Sequence, residues 1–313
     1  MMNTKSVSRR HFLGGTAALG GTALLGGFGN RAVASTRLGT HRLASTGDGI
    51  FVGARVKDVS WSRATGELGP IAATRLFYPG ALPATFNRGG IPNGVRLIVS
   101  YKSASSYTAS YVRSIPADAD VQVCYHHECE GAGDYAGGAA TAGAQFVKEF
   151  SAQHDAIKAA NPAIPVVMIG GSYQYNGGRN SSRGIGGHFL PIKADQFYLD
   201  TYQRGGADSS WNPIQPASQD KGVLNFIKEV ESLGRRFNGF TEYGRGVGVN
   251  GGPVSAADAR RRIEVFAADN IWLRGRRGVN AWCYWYTTDM ASGDQWRLLD
   301  SASQDAWARV SFG

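Results

Sequence analysis

Two glutamates stand just after short apolar runs, each in a setting otherwise made of polar and aromatic side chains. Glu128 lies in Tyr125-His126-His127-Glu128-Cys129-Glu130-Gly131, and Glu242 lies in Gly239-Phe240-Thr241-Glu242-Tyr243-Gly244. Two carboxyls brought to face each other can hydrolyse an acetal. One protonates the leaving oxygen, and the other attacks the anomeric carbon or activates a water. The acid of such a pair has to stay protonated near neutrality, which an ionised neighbour such as Glu242 or Glu130 would favour for Glu128. The nucleophile has to stay ionised, which a tyrosine hydroxyl and a nearby cation such as Arg245 would favour for Glu242. His126 and His127 beside Cys124 and Cys129 raise the question of a metal or a thiol nucleophile. The spacing has neither HExxH nor a CxxC pair, so no metal and no organic cofactor is expected, and the cysteines read as small buried hydrophobes.

The elements that must position these residues are short apolar runs, each followed by a Gly/Ser-rich loop and several by helical patterns. The runs are Ile50 to Ala54, Thr74 to Tyr78, Arg96 to Ser100, Asp120 to Tyr125, Pro165 to Gly170, Gln196 to Leu199, Gly239 to Thr241 and Val279 to Tyr284. They are continuous more than alternating, as for strands covered on both faces. Helical periodicity is clearest over Thr141 to Ala160, Lys221 to Leu233 and Ala256 to Leu273, the last with Ser255 as N-cap and Asp258 three positions on. Eight strands alternating with helices predict an α/β fold, a single (β/α)8 TIM barrel, for which about 250 residues is usual. A doubly wound sheet would carry a Gly-rich phosphate loop after its first strand, and neither GxGxxG nor GxxxxGK[ST] stands there.

In a barrel the chemistry sits at the C-terminal strand ends. Besides the two glutamates, those ends carry Tyr78, Tyr101, Lys102, Tyr173, Tyr175, Asp200, Tyr202, Trp282, Trp285 and Tyr286, a set suited to stacking on sugar faces and bonding their hydroxyls. The Gly-rich segments Gly131 to Gly143 and Asn176 to Gly187 read as loops shaping a cleft.

The first 34 residues are set apart as an export leader. Ser8-Arg9-Arg10-His11-Phe12-Leu13 is a twin-arginine box, followed by a weakly apolar Gly/Ala run and the cleavage-site pattern Ala32-Val33-Ala34. The expected mature chain, 35–313, is a secreted, monomeric, single-domain protein with no stable membrane insertion after cleavage. Of 33 Lys plus Arg against 24 Asp plus Glu in 313 residues, the leader holds Lys5, Arg9, Arg10 and Arg31 and no acid, so the net charge falls from +9 to +5. Such a modest, scattered excess without interleaved aromatics argues against nucleic acid as a partner. The runs Arg260-Arg261-Arg262 and Arg274-Gly275-Arg276-Arg277 read as a solvated helix face. Cys124, Cys129 and Cys283 are an odd number, and export after folding in a reducing compartment makes the fold independent of a disulfide.

His127-Glu128, Asp200-Thr201-Tyr202, Thr241-Glu242-Tyr243-Gly244 and Trp285 together resemble the catalytic core of clan-A retaining glycoside hydrolases. The nearest pattern is that of family 26, the β-mannanase and related β-glycanase group. The resemblance implies Glu128 as acid/base, Glu242 as nucleophile, His127 as a substrate-binding residue, Tyr202 as the hydroxyl orienting the nucleophile and Trp285 as the sugar platform. Lys102, Tyr78, Tyr243, Arg245 and Glu130 complete the expected binding set. Glu130 stands where the family has Asn, which leaves the choice among β-mannan and related β-glycans open and makes Glu130 a rival for the acid role. A non-catalytic carbohydrate-binding barrel is the alternative from a different class.

Overall fold

Each of the eight apolar runs forms a strand in the computed structural model, which describes residues 49–57, 59–129, 135, 138–175, 186–205, 213–214, 221–247, 255–287 and 296–312. The leader, Glu130 and most of the two Gly-rich loops lie outside the described residues. The strands are β1 (Phe51–Lys57), β2 (Ala73–Tyr78), β3 (Arg96–Tyr101), β4 (Val121–Tyr125), β5 (Val167–Gly171), β6 (Gln196–Gly205), β7 (Phe237–Val247) and β8 (Ala281–Thr287). Helices α1 (Trp61–Leu68), α2 (Thr108–Arg113), α3 (Ala139–Ala160), α4 (Lys221–Ser232), α5 (Ala256–Arg274) and α6 (Ser301–Phe312) fall between or after them. The three helices expected from periodicity are α3, α4 and α5. The first two of the others, with 8 and 6 residues, are too short to display a periodic face.

Every pairing is parallel. The strands run β1-β8-β7-β6-β5 in one ladder and β2-β3-β4 in another. The two ladders meet at both edges. Ala72 N donates to Val52 O (2.9 Å) and Thr74 Oγ1 to Ala54 O (2.6 Å) between β1 and β2, and Val123 N donates to Pro165 O (2.9 Å) where β4 meets the chain entering β5. The ring therefore closes in sequence order, and the chain is a (β/α)8 barrel.

Strand periodicity of two splits the side chains into an outer and an inner set. Leu97, Val99, Tyr101, Val121, Val123, Tyr125, Trp282, Tyr284 and Tyr286 join the large core beneath the helices. Ile98, Cys124, Val167, Ile169, Tyr198 and Ala281 form a smaller cluster inside the ring. Near the N-terminal end of the strands Gln122 Nε2 donates to Gln196 Oε1 at 3.0 Å, and the Tyr198 hydroxyl lies 2.5 Å from both Gln196 Oε1 and Asn280 Oδ1. These bonds pair most of the buried polar atoms beneath the site, while Gln122 Oε1 has no protein hydrogen bond. All three cysteines are buried, and none is in a disulfide.

Helix α5 begins as its sequence indicates, with Ser255 Oγ accepting from Asp258 N at 3.1 Å. Its basic run departs from the expected solvated face. Arg262 is fully buried and reaches Asp300 at 3.4 Å, because it shares the inward stripe with Val265, Phe266, Asp269 and Leu273. No described helix is long and apolar enough to cross a membrane.

Strands β6 and β7 outrun their apolar segments, with 10 and 11 residues, because their polar C-terminal halves pair with each other from Asp200–Glu242 to Gly205–Val247. β7 also carries register shifts against both neighbours. Between Phe240 and Tyr243, which pair with Trp282 and Tyr284 of β8, two residues replace the one that regular pairing would place there. A bulge of this kind re-aims side chains, and here it turns both Thr241 and Glu242 inward. Gly239 starts that distortion at φ 119°, and a Cβ there would lie 1.9 Å from Ala281 O. Gly239→Ala is expected to cost about 3 kcal/mol or more, since strain at a Gly-only backbone adds to a clash that only separation of β7 from β8 relieves. Denaturant unfolding of the variant measures it.

Candidate active site

Glu242 comes from the bulged part of β7 and is 6% exposed. Its two oxygens have different partners. Arg75 Nη1, from β2, lies 2.8 Å from Oε1, with Arg55 Nε of β1 at 3.9 Å, while the Tyr202 hydroxyl from β6 donates to Oε2. The same Arg75 Nη1 lies 2.6 Å from Asp200 Oδ2, and Arg75 Nε donates to Ser100 Oγ at 3.1 Å. The hydroxyl of Thr241 donates to the other oxygen of Asp200. Two buried carboxylates thus share one guanidinium.

Burial pushes Glu242 up to about 7, with Asp200 acting in the same direction, against the opposing pull of Arg75, Tyr202 and Arg55. Burial also raises Asp200, opposed by Arg75 and Thr241. Arg75 stays charged because the two carboxylates outweigh the burial that disfavours its cation. The Tyr202 phenol is held protonated by burial of its hydroxyl end and by Glu242, Asp200 and Glu128, so it is a donor to Glu242 throughout the neutral range.

Glu128 follows β4 in a turn with left-handed backbone at φ 49°. Its backbone N donates to Ile169 O of β5 at 2.9 Å, and its carboxyl approaches the end of that strand so closely that a Cβ on Gly171 would be 3.3 Å from Oε1. Glycine at 171 leaves that space open. Gly171 pairs with Asp200, and Asp200 with Glu242. The carboxyl of Glu128 and the Glu242 cluster therefore belong to the same end of the barrel, Glu128 after β4 and Glu242 three strands further on, in β7.

The other expected site residues divide into two groups. His127, Lys102, Tyr202 and Trp285 gather at this end. His127 packs edge-on against Phe77 with centroids 4.7 Å apart, and its backbone oxygen accepts from Lys102 Nζ at 2.8 Å. Burial, with Arg75 and Lys102 nearby, pulls His127 well below the ordinary histidine range, so it is neutral. Its Nδ1 is buried with no protein hydrogen bond. Trp285 lies beneath the Arg55 guanidinium at 5.1 Å and edge-on to Tyr202 at 5.9 Å. Trp296 meets the same tyrosine at 5.6 Å.

Tyr78, Tyr243 and Arg245 point elsewhere. In β2 the inward positions are Arg75 and Phe77, so Tyr78 turns out against Tyr111 of α2, with centroids 6.0 Å apart. Tyr243 and Arg245 are fully buried on the helix side of β7. Both bond Asp269 of α5, at 2.5 and 3.0 Å, and Tyr243 stacks on Trp307 of α6. Alternation carries them away from the mouth once Glu242 points into it. Tyr101, Tyr175 and Trp282 likewise pack into the surrounding core, so most of the aromatics at the strand ends are structural. The cation expected from Arg245 is supplied by Arg75 and Arg55. Their signal in the sequence is an arginine inside each of two largely apolar strands, FVGARVK and ATRLFY.

No family profile matches the chain, and no curated protein sequence does. Solved structures do match. A thermostable mutant of a xylanase from Cellvibrio japonicus aligns over 87% of this chain and 99% of its own at 11% identity and TM-score 0.52. XacCel5A, solved with cellopentaose, aligns over 84% and 99% at 10% identity and TM-score 0.50. A family 2 β-galacturonidase from Eisenbergiella tayi aligns over 84% of this chain at 13% identity and TM-score 0.49, and the chain spans about half (50%) of that protein. At these identities the likeness concerns the fold. The chain shares its barrel fold with this xylanase and with XacCel5A.

Proposed function

We propose that the protein is a retaining endo-β-glycosidase that cleaves β-mannan or a related β-glycan by double displacement, with Glu242 as nucleophile and Glu128 as acid/base. The observation that carries the reading is the clamping of Glu242. A buried carboxylate with a tyrosine hydroxyl on one oxygen and an arginine on the other is fixed in orientation, and the two partners favour its anion against the burial that raises its pKa. In the first step Glu242 attacks the anomeric carbon while Glu128 gives its proton to the departing oxygen. In the second, Glu128 takes a proton from water, which displaces the glycosyl group from Glu242. The neutral His127 with its unfilled Nδ1 is suited to bond a sugar hydroxyl, and Trp285 to stack beneath a pyranose ring. The glycan substrate of the barrel neighbours supports the class, and the family 26 motif pattern supports β-mannan within it. Export through the twin-arginine leader, with residues 35–313 as a monomeric catalytic domain, belongs to the same proposal.

The test is reducing-sugar release from β-mannan, β-glucan, xylan and bacterial wall glycans by the mature protein. Proton NMR of the first anomer released reads the stereochemistry. Release from β-mannan with retained configuration, lost in both Glu128→Gln and Glu242→Gln, is the expected result. Release with inversion overturns the nucleophile role, and binding without release in all three proteins indicates a carbohydrate-binding barrel.

The pH profile follows from the same groups. The reactive form of Glu242 is the anion, so kcat/KM is expected to rise with pH through an apparent pKa of about 7 in the free enzyme. An acid limb near the ordinary glutamate value of about 4.3 contradicts this.

A further inference from the structure

The turn that carries Glu128 holds a second strained residue. His126 has φ 50° and Glu128 φ 49°, both in the left-handed region that non-glycine residues avoid. Such a conformation persists when its surroundings over-determine it. The backbone is tied on both sides, His126 N donating to Tyr101 O at 2.7 Å and Glu128 N to Ile169 O at 2.9 Å. A further set of bonds lies behind the turn, on the helix side of β4, away from the mouth. Glu149 Oε2 of α3 accepts from the Tyr125 hydroxyl at 2.9 Å and from the Tyr135 hydroxyl at 3.0 Å. The Tyr135 oxygen lies 3.1 Å from His126 Nδ1.

A phenol has one proton. With that proton directed at Glu149, the Tyr135 oxygen is left to accept, and His126 must carry its proton on Nδ1 to donate. The direction of the chain is therefore determined by the carboxylate at its end: His126 to Tyr135 to Glu149. The imidazole is 7% exposed and sits between Tyr135 (5.2 Å) and Phe146 of α3 (6.5 Å), so the bond is also sheltered.

We propose that Glu149, acting through Tyr135 and His126, is a positioning residue for Glu128. It holds His126 in its left-handed state and so aims the carboxyl two residues further on. This rests on the reading of Glu128 as acid/base. Glu149 touches no substrate. Its effect falls only on steps that need a proton delivered by Glu128.

That restriction supplies the test. Tyr135→Phe removes the link and keeps the ring packing. kcat/KM reports the first bond cleavage and is measured on mannopentaose, whose leaving sugar needs protonation, and on 2,4-dinitrophenyl β-mannobioside, whose phenolate does not. Cellopentaose and the cellobioside serve if the enzyme prefers gluco substrates. The expected result is a loss of about 10- to 100-fold on the pentasaccharide, in the range of acid catalysis, with less than a twofold change on the dinitrophenyl glycoside. Glu149→Gln, which keeps an acceptor oxygen, should show a smaller split in the same direction. Equal losses on both substrates, or no loss on either, overturn the proposal, and thermal melts of the variants identify a loss that comes from unfolding. Glu128→Ala is run beside them. A larger split there with none in Tyr135→Phe sinks the positioning role alone, whereas no split in Glu128→Ala sinks the acid/base reading itself.

Discussion

Glu242→Gln is expected to lower kcat/KM on the preferred polymer by about four orders of magnitude, or roughly 5 kcal/mol of transition-state stabilisation, while making the protein more stable in alkali. The two effects share a cause. Glutamine cannot form the glycosyl ester, so the double displacement stops at its first step. The stability gain comes from the charge that glutamine lacks. Glu242 is raised to about 7 by burial, against an ordinary value of about 4.3. An acid whose folded value is raised binds its proton more tightly in the native state, so stability is lost as pH rises from about 4 through 7 and stays lost above. A shift of that size corresponds to about 4 kcal/mol. The amide does not titrate, and Arg75 keeps Asp200 as partner at 2.6 Å. The difference in Tm between variant and wild type should therefore grow in favour of the variant between pH 4 and 8. A wild type that is the more stable of the two at pH 8 contradicts this account.

Arg75→Met removes the cation on which both buried carboxylates depend. Arg75 and Asp200 have side chains only 1% and 0% exposed, and Glu242 8%. Breaking a buried ion cluster by taking one partner leaves uncompensated charge, which costs about 3–5 kcal/mol. At neutral pH the variant should unfold at markedly lower denaturant, and acid should restore part of the loss by protonating the two carboxyls. Its catalytic consequence has a direction as well. Without the guanidinium, the Glu242 value moves further up, so the rising limb of the pH profile shifts above 7 and little activity remains at neutrality. Arg75→Lys provides a graded control. Both carboxylates are met by a single nitrogen, Nη1, which an ammonium can approximate, while the bond from Nε to Ser100 is lost. It should retain more stability and more activity than the methionine variant. Equal stability of wild type and Arg75→Met would mean that the cluster is not held as described.

The local signals that were legible along the chain concern elements and their order. Eight apolar runs bounded by Gly/Ser loops determined eight strands, because a strand covered on both faces needs continuous apolar residues whatever its neighbours are. The Ser255 cap and the periodic faces of α3, α4 and α5 were legible for the same reason, being interactions within one turn or one helix. The placement of Glu128 just past its strand followed from the run alone, whereas Glu242, expected just after its run, lies inside β7, which continues to Val247. Which way each side chain points did not follow from the runs. Strand alternation gives two faces without saying which is inner, and the bulge in β7 breaks the alternation at Glu242 itself. Tyr243 and Arg245, adjacent to Glu242 or three residues beyond it, therefore ended in the helix layer, and Tyr78 turned out beside inward Arg75 and Phe77.

The cluster that tunes Glu242 is a product of the tertiary structure. Arg75 and Asp200 are 125 residues apart, and Tyr202 and Glu242 are 40 apart. No pattern within a window of sequence encodes such a meeting. The chain by itself determined a parallel barrel with a glutamate following each of two apolar runs. Only closure of the ring decided that an arginine from the second strand and an aspartate and a tyrosine from the sixth would surround the glutamate of the seventh, because the low-dielectric interior requires every buried charge there to find its partner across the barrel.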